Sequence, residues 1–258
     1  MWRNKNQSHL HMSAYARNRK QRKTSWDNKN APECEGYGRY FIVGKPRAGK
    51  TTLAVEMAIR HLSRTTNDPR YPRFDRMIIV SPSAATDPSM SKLWDFLQHH
   101  KIPTKLYKKF NKESAHKDMM ETLKANAALG LKTILFIDDQ LGNSTFTKRA
   151  DVDSWYNNLV SDLKTYLTEM LYLTQVITGM AATARKNQEV FIFFSDLTQR
   201  DDMWKCCQFV DNYGFNQLMD EYANERGRAI WINAQYGNLG VFRRDERGAL
   251  YAVTDIPL

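Results

Sequence analysis

The chain has 258 residues, 42% of them hydrophobic, and a formal net charge of +10, which suits one sizeable core better than two small domains. Its longest apolar strings fall far short of the ~20 residues that a membrane span requires, and no apolar stretch follows Met1, so we expect neither membrane insertion nor secretion. The three cysteines, Cys34, Cys206 and Cys207, are odd in number and lack metal-ligand spacing, which argues against a disulfide framework and a zinc site.

The positive charge is concentrated at the amino terminus. Residues 1–30 contain eight Lys or Arg and a single acid, Asp27, and so carry a charge of +7. Because these residues show almost no apolar periodicity, we predict a basic, disordered arm over residues 1–35 and a folded domain over residues 36–258. Such an arm would bind phosphate backbones without reading base sequence. A solubilising tail or a host import signal would explain the same composition.

Beyond residue 38, short apolar segments alternate with amphipathic ones. We predict strands over Tyr40–Val43, Met77–Val80, Tyr107–Phe110, Thr133–Ile137, Val190–Phe194 and Ala229–Asn233, and a closing hairpin from Val241–Arg243 and Leu250–Val253. We predict helices over Thr51–Leu62, Ser89–His100, Glu113–Ala128 and Trp155–Ala184. Short, wholly apolar strands separated by helices predict an α/β fold with a mostly parallel central sheet that is covered on both faces.

The helix predicted over Trp155–Ala184 is the longest of these elements. It rests on large apolar residues at steps of three and four, namely Leu159, Leu163, Leu167, Met170, Leu171 and Ile177. A stripe of this kind is typical of a helix face packed on a core, so we assign it no part in a cofactor site.

A glycine-rich turn lies between the first predicted strand and the first predicted helix. It reads Gly44-Lys45-Pro46-Arg47-Ala48-Gly49-Lys50-Thr51, with Thr52 next, and it satisfies the pattern G-x-x-x-x-G-K-[ST]. The glycines let successive backbone N–H groups converge on phosphate oxygens, and the helix that follows points its positive end at the same place. We therefore predict an ATP site over residues 44–52, in which Lys50 bridges the β- and γ-phosphates and the Thr51 hydroxyl binds Mg²⁺.

A second strand end supplies carboxylates. The apolar strand Thr133–Ile137 is followed directly by Asp138 and Asp139. Beside a phosphate loop, Asp138 would hold Mg²⁺, directly or through water, and Asp139 would orient or deprotonate the attacking water. A solvated strand end is the alternative interpretation of two adjacent acids.

Two further residues are candidates near the γ-phosphate. The strand Val190–Phe194 leads into a polar segment that contains Gln199, which we predict to sense hydrolysis. Arg185, just upstream of this strand, is our candidate for an arginine finger that reaches the γ-phosphate of a neighbouring subunit. A solvent-facing glutamine and a surface arginine would give the same pattern.

Taken together, these motifs resemble those of the viral genome-packaging ATPases of the FtsK–HerA superfamily. The resemblance is to the poxvirus-type branch, which also serves other double-stranded DNA viruses and virophages, and it covers roughly residues 38–245. It is carried by the phosphate loop, by Arg73-Phe74-Asp75 before a strand that ends in Ser81-Pro82, by the Asp138-Asp139 strand end, by Arg185-Lys186-Asn187 and by Thr198-Gln199.

The resemblance implies a fold and a function. The fold would be the three-layer sandwich of a P-loop NTPase, of the RecA/FtsK-like type. The function would be that of an oligomeric ring, a pentamer or a hexamer, that threads double-stranded DNA into a preformed capsid by hydrolysing ATP. It also implies an active site at the subunit boundary, contact with a capsid or portal vertex, and a location in the virion or in a viral factory of the host cytoplasm or nucleus.

Two other functions fit the same phosphate loop. A P-loop kinase or a helicase loader would also need it, but a kinase would require an arginine-rich lid and an acceptor pocket, and the sequence shows neither signature. A nucleic-acid-binding structural protein with a vestigial nucleotide site would explain the basic arm. The intact Lys50, Thr51, Asp138 and Asp139 oppose that interpretation.

Overall fold

The computed structural model describes residues 36–65, 68, 70–110, 113–138, 155–177, 182–194, 200–207, 212–222, 228–234, 238–244 and 250–253. The predicted arm, residues 1–35, lies outside them. The strands are β1 (Arg39–Val43), β2 (Arg76–Val80), β3 (Thr104–Tyr107), β4 (Thr133–Ile137), β5 (Thr168–Thr174), β6 (Val190–Phe194), β7 (Ala229–Asn233), β8 (Asn238–Arg244) and β9 (Leu250–Val253). The helices are α1 (Lys50–Leu62), α2 (Ser91–His99), α3 (Glu113–Ala128), α4 (Trp155–Asp162), α5 (Ala182–Lys186), α6 (Arg200–Cys207) and α7 (Asn212–Tyr222), with a 3₁₀ turn at Pro88–Met90.

The strands form one sheet in the order β3-β2-β4-β5-β1-β6-β7-β8-β9. The members from β3 to β6 pair in parallel, and β7, β8 and β9 continue the sheet in antiparallel fashion. We call the edge at which the parallel strands end the carboxyl edge, and the opposite one the amino edge. Strand β5 lies between β1 and β4, so the predicted phosphate loop and Asp138 leave the same edge one strand apart.

Helices cover both faces of the sheet. Successive strand residues point to opposite faces, so Phe41 enters one core and Ile42 the other. On the Ile42 face the sheet packs against α1 and α2, and on the Phe41 face it packs against α3 to α7. The mostly parallel, three-layer α/β sandwich predicted from the sequence is confirmed.

Most of the predicted elements are confirmed, and several have the predicted bounds. These are Glu113–Ala128, Thr133–Ile137, Val190–Phe194 and Ala229–Asn233. The strand predicted at Tyr107–Phe110 lies earlier, because Thr104–Tyr107 is the segment that pairs with β2, while Phe110 is buried beyond it against His116 of α3. The closing hairpin is present and longer than predicted. Within the described residues, no helix is long and apolar enough to cross a membrane.

The long helix predicted over Trp155–Ala184 is wrong. The chain ends α4 at Asp162, forms β5, and enters α5 at Ala182. Every residue of β5 is buried, because the strand lies inside the sheet with helices on both faces, and such a strand lacks the polar alternation that would reveal it. Met170 enters one core and Leu171 the other, so their helix-like spacing from Leu163 and Leu167 is coincidental.

A buried polar pair fixes the far end of α1 to the sheet. Nδ1 of His61, in the last turn of α1, lies 2.5 Å from Oε1 of Glu169 on β5, and both side chains are fully buried. Removing one partner of such a pair typically costs about 1–3 kcal/mol, because the other polar group stays buried without its hydrogen bond. The pair therefore holds the helix that starts at the phosphate loop.

Candidate nucleotide-binding site

The predicted phosphate loop connects β1 to α1 at the carboxyl edge. Its backbone turns through two left-handed positions, Arg47 at φ 62° and Gly49 at φ 106°. The Ala48 N–H donates to the Lys45 carbonyl at 3.2 Å, and the Gly44 N–H donates to the Thr174 carbonyl at 3.1 Å. These bonds close the turn and tie it to the end of β5. The curled backbone that the pattern predicts is present.

Gly44 is required by close packing. A Cβ atom at this position would lie 2.8 Å from Cβ of Phe194, at the end of β6, and 3.3 Å from Cβ of Ala48. Phe194 is itself buried, so it has little room to move. Any side chain at Gly44 would therefore displace the loop from the sheet edge.

Lys50 opens α1 and extends back across the loop. Its Nζ donates to the carbonyl of Lys45 at 2.9 Å, and the residue is 8% exposed. The ammonium group is thus held over the concave side of the turn, where the N-terminal end of α1 adds positive potential. This is the position from which a lysine neutralises the phosphates of a bound nucleotide.

Thr51 and Asp138 meet at the same place. The Thr51 hydroxyl donates to Oδ2 of Asp138 at 3.1 Å, although the two residues are 87 positions apart in sequence. The Asp138 N–H donates to the Val80 carbonyl at 3.0 Å, which fixes the carboxylate at the end of β4. The predicted convergence of the loop and the strand-end acid is therefore present.

The two oxygens fit a magnesium ion. Mg²⁺ takes oxygen ligands at 2.0–2.1 Å in octahedral geometry, so two neighbouring ligands lie about 2.9 Å apart. The separation of the Thr51 hydroxyl and the Asp138 carboxylate oxygen is close to this value. A hydroxyl and a carboxylate are also the hard ligands that this ion prefers, so these residues could hold it.

Comparison with known proteins identifies the fold. No protein-family model matches the sequence, and no curated protein matches it significantly. The genome packaging NTPase B204 from Sulfolobus turreted icosahedral virus 2, in complex with AMP, has a TM-score of 0.59 at 12% identity over 80% of this chain and 96% of that one. B204, the DNA-packaging ATPase from Sulfolobus Turreted Icosahedral Virus, has a TM-score of 0.59 at 13% identity over 79% and 96%. The chain has the P-loop NTPase fold.

Within this fold, β5 carries a polar pair that sequence reasoning missed. The strand ends in Thr174 and is followed by Gln175, which is half-buried. Because β5 lies between β1 and β4, Gln175 leaves the carboxyl edge between the phosphate loop and Asp138. The sequence does contain a signal for this pair: an apolar segment followed by Thr174 and Gln175 resembles the apolar segment that is followed by Asp138 and Asp139. The prediction of a long helix over this segment concealed that signal.

The remaining predicted site residues do not all lie at the contact of Thr51 with Asp138. Lys45 and Thr52 are half-buried beside the turn, and Pro46 and Arg47 are exposed at its tip. Arg185 lies on α5, where its Nη1 donates to the Ile177 carbonyl of the same chain at 2.8 Å. Asp139 and Gln199 lie outside the described residues, so their roles stay predictions.

Proposed function

We propose that this chain is an ATP-hydrolysing motor that translocates double-stranded viral DNA into a capsid. The ATP-hydrolysing activity is proposed from one observation, the contact of the Thr51 hydroxyl with the Asp138 carboxylate. Thr51 directly follows Lys50, whose ammonium group is held over the same loop. The DNA part is supported by the basic composition of residues 1–30 and by the fold shared with B204, a genome packaging NTPase.

Each residue of the site has a proposed task. Lys50 exchanges its bond to the Lys45 carbonyl for oxygens of the β- and γ-phosphates, while the loop N–H groups bind the phosphate chain. Thr51 and Asp138 would hold Mg²⁺, which would supply positive charge to stabilise the phosphates. Asp139 takes the proton of the attacking water.

Two glutamines are candidates for positioning that water or the γ-phosphate. Gln199 follows β6, which borders β1 on the side away from β4, whereas Gln175 follows β5, which lies between β1 and β4. The topology therefore favours Gln175, because a group between the phosphate loop and Asp138 is nearest to the reacting phosphate.

The motor is proposed to work as a ring of five or six copies. Arg185 would then act in trans, and to do so its guanidinium must leave the Ile177 carbonyl and extend to the next subunit. The ring would dock on a capsid or portal vertex, in the virion or in a viral factory of the host cytoplasm or nucleus.

The test is the ATPase rate with and without double-stranded DNA, measured together with the mass of the oligomer. Stimulation by DNA and a ring-sized mass support the motor. Phosphorylation of a small molecule in place of net hydrolysis indicates a kinase, and tight DNA binding without any turnover indicates a vestigial site. Either result would reject the proposal.

Lys50→Ala isolates the nucleotide site in the same assay. It removes the ammonium group that is held over the loop, so nucleotide binding and hydrolysis should both be lost. Lys124→Ala is the matched control, because Lys124 is an exposed lysine on α3. Normal turnover by Lys50→Ala would refute the assignment of the phosphate site.

A further inference from the structure

A second basic region lies on the amino edge, away from the candidate nucleotide-binding site. Residues 60–76 contain five arginines and two aspartates, which leaves a charge of +3. They run from the last turn of α1 to the start of β2. Since α1 has 13 residues, its length separates this region from the phosphate loop by about 20 Å.

Both aspartates of this segment are already engaged. Asp68 accepts hydrogen bonds from the guanidinium of Arg70, at 2.6 Å to Nη2, and the pKa of its carboxyl is lowered by that partner. Oδ2 of Asp75 accepts from the backbone N–H of Lys132 at 3.0 Å. Asp68 thus pairs with one of the five arginines, Asp75 is bound by a backbone N–H, and the segment as a whole keeps its net charge of +3.

Two arginines lie against one aromatic ring. The guanidinium carbons of Arg64 and Arg70 lie 5.9 Å and 5.8 Å from the centre of the Tyr71 ring. Arg64 also donates from Nη1 to the Pro72 carbonyl at 3.1 Å. The side chain of Arg70 is 62% exposed, and Arg73 is exposed two residues after Tyr71. The Tyr71 ring, with Arg64 on it, thus helps to hold the exposed guanidinium of Arg70 in place before any partner binds.

The predicted arm joins the fold at this surface. The Gly36 N–H donates to the Arg70 carbonyl at 2.7 Å, and the Tyr37 ring packs edge-on against Phe74 at 6.0 Å. Residues 1–30, with a charge of +7, therefore precede a segment that is anchored on the arginine-rich region. Two basic parts of the chain, distant in sequence, are tethered to one edge of the molecule.

We infer that this amino-edge arginine surface, made of Arg70 and Arg73, binds the phosphate backbone of the DNA that the arm also contacts. The inference rests on the proposed function and adds the place on the folded domain where DNA lies. Arginine forks match phosphate oxygens in geometry and in charge, and Arg70 would exchange its bonds to Asp68 for such oxygens. Because the arm is tethered to the same edge, contact by one part raises the effective concentration of DNA at the other.

The experiment measures the salt dependence of DNA binding by the full-length chain. The double variant Arg70→Gln, Arg73→Gln removes two positive charges from this surface, and fluorescence anisotropy with a labelled random-sequence duplex gives the affinity over a series of salt concentrations. Each lost phosphate contact lowers the slope of log K against log salt by about 0.9, so the slope should fall by up to about 1.8.

Two further variants make the result specific. Lys108→Gln, Lys109→Gln removes the same charge from exposed lysines that follow β3 at the carboxyl edge, and it should leave the slope unchanged. Arg70→Lys, Arg73→Lys keeps the charge and should keep most of the slope. Three results would overturn the inference. The slope could stay unchanged in Arg70→Gln, Arg73→Gln. It could fall by the same amount in Lys108→Gln, Lys109→Gln, or by the same amount in Arg70→Lys, Arg73→Lys.

Failure of this inference can be told apart from failure of the proposed function. If double-stranded DNA stimulates the wild-type ATPase while the arginine-to-glutamine variant keeps the wild-type slope, the motor stands and the amino-edge surface is rejected. If the wild-type chain binds an acidic protein surface but no duplex, both proposals fall.

Discussion

The Thr51 hydroxyl and the Asp138 carboxylate lie 3.1 Å apart at the carboxyl edge of the sheet. The strand β5 lies between β4, which Asp138 follows, and β1, which precedes the phosphate loop. Thr51 is the second residue of α1 and Asp138 directly follows β4, so only the folded sheet brings them together. Their separation matches that of two ligands of one Mg²⁺ ion. We therefore expect the chemistry of the site to depend on the charge of one buried carboxylate.

Asp138→Asn tests this dependence. The amide oxygen can still accept from Thr51, so the fold should be kept, but the negative charge that attracts the metal is lost. We expect hydrolysis at saturating nucleotide to fall by about 10²–10³-fold, the scale observed when one group that stabilises transition-state charge is removed. Titration of ATPase activity with Mg²⁺ measures the effect, and the half-saturating concentration should rise.

The control for this variant is Asp95→Asn, the same chemical change on an exposed position of α2. It should leave the Mg²⁺ titration as in the wild type. If Asp138→Asn titrated in the same way as Asp95→Asn, the carboxylate would have no part in holding the metal.

Asp139→Asn separates binding from chemistry. Asp139 follows Asp138 directly and is predicted to activate the attacking water, so its loss should leave ATP bound and uncleaved. Retention of radiolabelled ATP on the purified variant, together with the absence of ADP, gives the measurement. Should binding itself disappear, Asp139 rather than Asp138 is the residue on the metal side.

Sequence reasoning succeeded at the phosphate loop and at the end of β4, where the features are local. The strand β1, the glycine-rich turn and the helix after it form one continuous pattern, and β4 ends in acids that mark its boundary. Each of these features depends on neighbouring residues alone, so the pattern was enough to predict that Lys50, Thr51 and Asp138 share a site.

Sequence reasoning failed at β5, where complete burial removes the alternation of polar and apolar residues that marks a strand. All seven residues of β5 are buried, and a strand buried on both faces shows no alternation of polar and apolar side chains. The order of strands is set by pairings between distant segments, which no local signal contains. For both reasons Gln175 was missed, although its position between the phosphate loop and Asp138 follows once β5 is placed.

Gln175→Ala and Gln199→Ala, compared side by side, decide which glutamine serves the reaction. A residue that positions the water or the γ-phosphate contributes in the transition state, so its loss should lower kcat with little change in nucleotide affinity. We expect this for Gln175→Ala, with a loss of roughly 10²-fold, and near wild-type rates for Gln199→Ala. The reverse result would restore Gln199 as the sensor and remove Gln175 from the site.

Gly44→Ala tests the packing of the phosphate loop on the sheet. A methyl group at this position would lie 2.8 Å from Cβ of Phe194, so the loop must shift, at a cost of about 1–3 kcal/mol. If the nucleotide needs the unshifted loop, affinity should fall about tenfold for each 1.4 kcal/mol of that cost. Isothermal titration with a non-hydrolysable ATP analogue measures the affinity, and thermal unfolding measures the stability.

Gly130→Ala provides the matched comparison for that variant. Gly130 has φ 70° and nothing within 4 Å of the position of an added Cβ, so alanine there adds backbone strain without a steric clash. Its stability should fall by about 1 kcal/mol while its nucleotide affinity stays at the wild-type value. The two variants thus separate a general loss of stability from a local change in the loop, and equal affinities in both would show that the contact of Gly44 with Phe194 does not shape the nucleotide site.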